Sequence, residues 1–334
     1  MTTIYETQQD RTDLPLVAMP CVMPGMIAPF KKNFALLNNI ARVKMYEDFT
    51  FDDDEFVKRC EGASAVMAIN FHISDKALEA LAANHVKCIA FGGTGVQSYI
   101  DLPKAHALGI RVCNVRHYGN HAVAEFAVAL MMELSRHVGE LDHELREGEW
   151  DTAMKAETEL YGRNLAIVGL GGIGQTVARI AQGFGMNVMA WKSPSSNKDY
   201  AAMDVTPVED LNQLMAQADI VSLHLPLLPS TRGIITAENL AAMRPGTMFI
   251  NTARAEIIEP GALEARLAKG DIPAALDVYD EEPLPMDSPL LKIPGLILTP
   301  HVAWRTDGAY ASITEQVVRA IAAFFENKEF NVVE

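Results

Sequence analysis

Three observations predict an α/β protein made of two parallel-sheet domains. Short apolar runs alternate with helical stretches over the first hundred residues, the same rhythm returns after residue 160, and a glycine-rich turn stands between the first strand and first helix of that second run. The chain has 334 residues, 49% of them hydrophobic and 21% charged, which suits a globular protein able to bury two cores.

In chain order, "LPLVAMP", "ASAVMAI" and "VKCIAF" are the strand candidates of the first region, and "SDKALEALAAN" is a helix opened by Ser74 as N-cap. From Gly119 the texture changes. "NHAVAEFAVALMMELSRHVGELDHEL" reads as one long helix, with Ala122, Phe126, Ala129 and Met132 at helical spacing among other apolar residues, a pattern of burial between domains or subunits. Six strand candidates follow: "NLAIVGL", "NVMAW", "DIVSLHL", "TMFINTA", "PAALDVY" and "LILTP". Separated by crossovers, they make a doubly wound Rossmann domain. "TDGAYASITEQVVRAIAAFFENKEF" reads as the last helix.

A formal net charge of −15, without clustered Lys and Arg, argues against a nucleic-acid partner. The opening "MTTIYETQQDRTDLPLVAMP" has neither the charge order nor the cleavage pattern of a signal peptide, and no apolar run reaches the roughly 18 residues of a membrane span. Cys21, Cys60, Cys88 and Cys113 are far apart and set among apolar neighbours, so buried free thiols are expected, not disulfides or a metal site. The expectation is a cytoplasmic protein with a small-molecule partner and no membrane contact.

Gly169, Gly171 and Gly174 in "VGLGGIG" satisfy G-x-G-x-x-G between the strand "LAIV" and the helix "QTVARIAQGF". In that context a pyrophosphate can rest on backbone N–H groups at the helix N-terminus. A fold preferring NAD would place an acid after the next strand, yet Lys192 stands there, 23 residues after Gly169. An ammonium followed by Ser193, Ser195 and Ser196 suits a 2′-phosphate, so NADP is the preferred cofactor on this reading. The other reading is a solvated lysine above a site that takes NAD.

Three polar residues follow successive strands: Arg254 after "MFINTA", Glu282 in "LDVYDEEP" and His301 in "LTPHVAW". Ligands of open parallel sheets bind outside the carboxyl ends of the strands, where these side chains could converge. A histidine can give or take a proton, a carboxylate beside it favours the protonated form, and a guanidinium can hold a carboxylate by its planar fork.

With these residues, "GTGVQSYID", "NVRHYGNHAVAEFAVALMM", "AIVGLGGIGQTVARIAQGFGM", "DIVSLHLPLLPSTRGII", "INTARAEII", "ALDVYDEEPLP" and "ILTPHVAW" make seven ordered blocks over nearly the whole chain. So arranged, the chain resembles the D-isomer-specific 2-hydroxyacid dehydrogenase family, in particular its glyoxylate/hydroxypyruvate reductases and glycerate dehydrogenases. The resemblance implies a substrate-binding domain from residues 1–112 completed by 304–334, a Rossmann dinucleotide-binding domain over 113–303, and an active-site cleft between these two Rossmann-like/flavodoxin-like domains. It implies a homodimer joined through the long helix near residues 120 to 138. His301 becomes the acid/base, Glu282 its partner and Arg254 the substrate clamp. Gly95 and Val96 become the substrate-carboxylate loop. Gly172 and Ile173 fall at the pyrophosphate, Pro226 and Thr231 along the cofactor, and Thr252, Ala253 and Asp277 near the nicotinamide. Asp277 could equally cap a strand end. Trp304 resembles an aromatic residue near the substrate cleft, or it packs between domains.

The chain departs from the family pattern in "NTARA" for "NTARG", in Arg116 after "NV", and in Arg305 after "TPHVAW". Were both arginines to point inward, the substrate would need a second anionic group; otherwise they are surface residues. The function implied is NAD(P)-dependent reduction of a small 2-oxo acid. The rivals are a formate- or phosphite-type dehydrogenase of the same fold and a cofactor-sensing, corepressor-like binding protein. Formate enzymes carry Gln where Glu282 stands; a turnover assay separates an enzyme from a corepressor.

Overall fold

A computed structural model describes residues 2–8, 11, 13–150 and 156–333. They fall into two units, one running to Tyr118 and resuming at Thr306, the other covering Gly119–Arg305. The expected junctions were 112/113 and 303/304. Residues 113–118 stay with the first unit because they are hydrogen-bonded to it: Asn114 N–H donates to Asn331 O at 3.0 Å, Arg116 N–H to Gln316 Oε1 at 2.9 Å, and Thr94 Oγ1 to Val115 O at 3.0 Å.

The first unit holds β1 (Ile4–Glu6), β2 (Leu16–Met19), β3 (Arg42–Tyr46), β4 (Ala63–Ala68), β5 (Cys88–Phe91) and β6 (Arg111–Cys113), in the order β1-β3-β2-β4-β5-β6. Only β1 runs antiparallel; the other five have the flavodoxin-like order. Ser74 caps the helix Asp75–Ala83, accepting from Ala77 N–H at 3.1 Å. The C-terminal helix Asp307–Phe325 packs on the helix Pro24–Asn33, where Asn33 Nδ2 donates to Thr314 Oγ1 at 2.9 Å.

The second unit holds β7 (Asn164–Val168), β8 (Asn187–Trp191), β9 (Thr206–Val208), β10 (Ile220–Leu223), β11 (Met248–Asn251), β12 (Ala274–Leu276) and β13 (Ile297–Leu298). All pair parallel, in the order β13-β12-β11-β10-β7-β8-β9. This is the Rossmann order, with its topological switch between β7 and β10. β10, β11 and β12 are buried along their whole length, which is why they read as unbroken apolar runs. β9 was not among the six expected strands. It has three residues, one of them Pro207, and no apolar run, and it survives because it is an edge strand.

The single helix expected from residue 120 is two. Asn120–Arg136 ends at His137, whose backbone is left-handed (φ 48°), and Val138–Arg146 follows. Local hydrogen bonds hold this break: Gly139 N–H reaches Glu133 Oε1 at 2.9 Å and His137 Nδ1 lies 2.6 Å from Glu157 Oε2. Ala124, Ala127, Val128, Leu130, Met131 and Leu134 of Asn120–Arg136 are buried within their own unit, in one core with Leu165, Ile167, Val177 and Ala181; Phe126 and Met132 are half-buried against it, and Ala129, expected in the buried pattern, is exposed. All four cysteines are free and buried.

Candidate active site

The glycine turn is shaped by close approach. Gly169 has φ +109°, and a Cβ there would stand 2.6 Å from the backbone carbon of His224; a Cβ on Gly174 would stand 2.2 Å from Gly169 O. These two glycines let the turn meet the end of β10 and the helix Gly172–Gly183 meet β7. Gly171 differs. It is the N-cap of that helix, and among the described residues a Cβ on it meets nothing within 4 Å beyond its chain neighbours, so the space on that side of the helix N-terminus is open. An open cradle at the N-terminus of a twelve-residue helix fits a dinucleotide's pyrophosphate. Asn120, not expected in the site, packs its amide against Gly172.

Lys192 follows β8, and its Nζ lies 2.9 Å from Glu209 Oε1. The ion pair raises the lysine pKa above its ordinary value and lowers that of the glutamate. The serines form a turn, with Ser196 N–H donating to Ser193 O at 2.9 Å and Ser196 Oγ lying 2.9 Å from the Tyr200 hydroxyl. The Ser196 hydroxyl therefore has a partner already.

Beyond β11, Asn251 braces the turn that carries Arg254: its Oδ1 accepts from Ala253 N–H and its Nδ2 donates to Arg254 O, both at 3.0 Å. The Arg254 guanidinium donates to Ala253 O at 2.6 Å. Leu223 and Asn251 are register partners, so His224 and Thr252 stand side by side one residue further on. Among the described residues, His224 Nδ1 and Thr252 Oγ1 are buried polar atoms with no hydrogen-bond partner. Burial depresses the His224 pKa to about 4, so the ring is neutral, and its Nε2 lies 2.9 Å from Ser222 Oγ. The Thr231 hydroxyl is spent within its own loop, donating to Pro226 O at 2.6 Å and accepting from Leu228 N–H at 2.8 Å.

Asp277, directly after β12, is fully buried and accepts three hydrogen bonds: from Thr299 Oγ1 at 2.6 Å, and from Val302 N–H and Ala303 N–H at 2.9 Å each. It thereby clamps the loop on which His301 sits with left-handed backbone (φ 51°). Of the two sequence readings of Asp277, this geometry is that of a strand-end clamp. Glu282 approaches from the neighbouring loop, its Oε2 2.7 Å from His301 Nδ1 and its Oε1 accepting from Tyr279 N–H at 3.1 Å. The Tyr279 hydroxyl, 2.9 Å from Thr299 O, ties the two loops together. Burial would raise the Glu282 pKa. The His301 hydrogen bond and charge, with help from Arg254, outweigh it and hold the carboxyl below its ordinary value. Arg254, Glu282 and His301 are thus electrostatically coupled at the carboxyl edge of one sheet. Trp304 is half-buried on the same loop.

Gly95 and Val96 belong to the first unit, where Gly95 opens the turn Val96–Ser98 after β5 and Val96 is fully buried. Asn114 Nδ2 donates to Thr94 O at 3.0 Å and braces that loop. Of the two readings of the unusual arginines, the geometry is that of surface residues: Arg116 and Arg305 are both exposed, and the Arg116 guanidinium points to Val332 O at 3.4 Å. Exposed guanidinium groups need no counter-anion, so the argument for a second acidic group on the substrate falls.

Comparison with known proteins places the chain and its fold. Residues 128–303 match the family model for the D-isomer specific 2-hydroxyacid dehydrogenase, NAD binding domain. A glycerate dehydrogenase of Methylorubrum extorquens is 34% identical over 304 residues, 87% of this chain and 91% of that protein. A D-3-phosphoglycerate dehydrogenase of Methanocaldococcus jannaschii is 38% identical over 245 residues, 72% of this chain but 46% of that longer protein, so the chain spans about half of it. The structure of the D-lactate dehydrogenase of Escherichia coli superposes with a TM-score of 0.84 at 26% identity, covering 96% of this chain and 100% of that one. The chain belongs to the D-isomer-specific 2-hydroxyacid dehydrogenases, nicotinamide-dependent oxidoreductases that interconvert 2-oxo acids and D-2-hydroxy acids.

Proposed function

We propose that this enzyme reduces glyoxylate, hydroxypyruvate or a similarly small 2-oxo acid, with NADPH preferred over NADH. The observation that carries the chemistry is the 2.7 Å contact between His301 Nδ1 and Glu282 Oε2. The cofactor, when bound, supplies the hydride. Glu282 holds the imidazole by Nδ1, leaving Nε2 to deliver the proton to the carbonyl oxygen. Arg254 polarises that carbonyl and clamps the substrate carboxylate, with Trp304, on the His301 loop, as an apolar wall.

The helix Gly172–Gly183 would hold the pyrophosphate through Gly171, Gly172, Ile173 and Gly174. Lys192 and Ser193 would hold a 2′-phosphate, and the Pro226 to Thr231 loop would line the cofactor. Thr252 and Ala253 would lie near the nicotinamide, with Asp277 beneath them as the clamp of the His301 loop. A homodimer is supported by Val138, Leu141 and Leu145, exposed on one face of the helix Val138–Arg146. The buried free thiols suit a reducing, cytoplasmic setting.

Steady-state rates with glyoxylate, hydroxypyruvate and pyruvate, each with NADPH and NADH, test the reading. One charge-assisted contact corresponds to about a ten- to hundredfold advantage in kcat/KM for NADPH, and Lys192→Asp should move the preference toward NADH. His301→Ala should keep NADPH binding and lose reduction by about 10²- to 10⁴-fold. No turnover of any 2-oxo acid would remove the substrate assignment; equal efficiency with both cofactors would remove the NADPH preference.

A further inference from the structure

Lys192 and Glu209 are brought together by backbone before charge. Trp191 and Val208 are register partners at the ends of β8 and β9, so the residues after them leave the carboxyl edge side by side. Lys192 N–H donates to Val208 O at 2.8 Å, and the Trp191 indole Nε1–H donates to Glu209 O at 3.1 Å. The two side chains then meet at 2.9 Å, Lys192 41% and Glu209 77% exposed.

An exposed ion pair of this kind is weak, so an incoming phosphate can draw the ammonium away. The sheet holds the Glu209 backbone beside Lys192, so its carboxylate stays within a side-chain length of whatever Lys192 binds. A 2′-phosphate therefore meets a lysine that is already neutralised and a like charge beside it. Two ribose hydroxyls meet no such opposition.

We propose that Glu209, carried in by the edge strand β9, is a specificity-determining residue that restrains 2′-phosphate binding at Lys192. The proposal rests on the reading of Lys192 as the 2′-phosphate site. Glu209 acts on the phosphate through space and through the competition for Lys192, and takes no part in proton or hydride transfer. The restraint weakens as salt screens both interactions.

Binding measurements decide it without turnover. Kd is measured for NADPH and NADH by nucleotide fluorescence, and for adenosine 2′,5′-bisphosphate and adenosine 5′-monophosphate by calorimetry, at low and high salt. The proteins compared are the unmodified enzyme, Glu209→Gln, Lys192→Ala and the double variant, each checked by thermal melting. Glu209→Gln should tighten NADPH and the bisphosphate about three- to tenfold at low salt, less at high salt, and leave NADH and the monophosphate within about twofold. In the Lys192→Ala background, removing Glu209 should still tighten NADPH, because the like-charge repulsion remains to be lifted. If Lys192→Ala weakens NADPH while Glu209→Gln leaves it unchanged or weaker, Glu209 does not restrain the phosphate and the proposal is overturned with the lysine reading intact. If Lys192→Ala leaves NADPH unchanged, the lysine reading itself fails.

Discussion

His301 Nδ1 and Glu282 Oε2 lie 2.7 Å apart, although the two residues come from loops that follow different strands. The contact holds the Glu282 carboxyl below its ordinary pKa in spite of burial that pushes the other way. Glu282→Gln keeps the shape of the side chain but loses the charge-assisted hydrogen bond that fixes the imidazole by Nδ1, so reductive kcat/KM should fall roughly tenfold while NADPH affinity is kept. Unaltered kcat/KM in the Gln variant would separate the two residues functionally.

Asp277 works one step behind this pair. Its carboxylate accepts from Thr299, Val302 and Ala303, which bracket a histidine in a left-handed conformation that the Cβ of an L-residue resists. Asp277→Asn keeps one acceptor oxygen and turns an amide toward a buried N–H. The cost is about 1–3 kcal/mol, or a Tm lower by about 2–10 °C. Because the loss falls on the loop that aims His301, kcat should drop more than the affinity for NADPH. Melting and steady-state kinetics on the same preparation check this; unaltered Tm and kcat would mean the loop holds itself.

What could be read from the chain divides along a physical line. Strands buried on both faces announce themselves as apolar runs, so β7, β10, β11 and β12 and the two-sheet architecture were legible. Gly169, Gly171 and Gly174 were legible because one turn geometry demands them at fixed spacing. Contacts set by register were not. Glu209 depends on β9, whose three residues carry no periodic signal. The break at His137 depends on side-chain bonds from Glu133 and Glu157 that helical periodicity cannot contain. Thr231 is expected along the cofactor, and that its hydroxyl closes its own loop is a contact no sequence pattern contains. Asn251 stood in the quoted "INTARA" and Asn120 in "GNHAVAEF"; a polar residue at a strand end or helix start was the signal available for both.

The glycine turn offers a test in which two near-identical substitutions should have opposite consequences. Gly174→Ala drives a methyl to within 2.2 Å of Gly169 O, a backbone atom that cannot move without opening the strand-to-helix turn. Overpacking of this kind costs about 1–3 kcal/mol or more, so the protein should melt earlier and lose cofactor binding as a consequence. Gly171→Ala is different in both respects. Its φ of −76° suits any residue, and among the described residues the added methyl touches nothing within 4 Å beyond its chain neighbours, so the melting temperature should hold within about a degree. The methyl instead projects into the space before the helix N-terminus. If the pyrophosphate rests there, Kd for both NADPH and NADH should rise by about tenfold or more, since displacing it lengthens charge-assisted N–H contacts worth about 1.5–3 kcal/mol. Tight cofactor binding by the stable Gly171→Ala protein would place the pyrophosphate elsewhere and remove the helix N-terminus from the site.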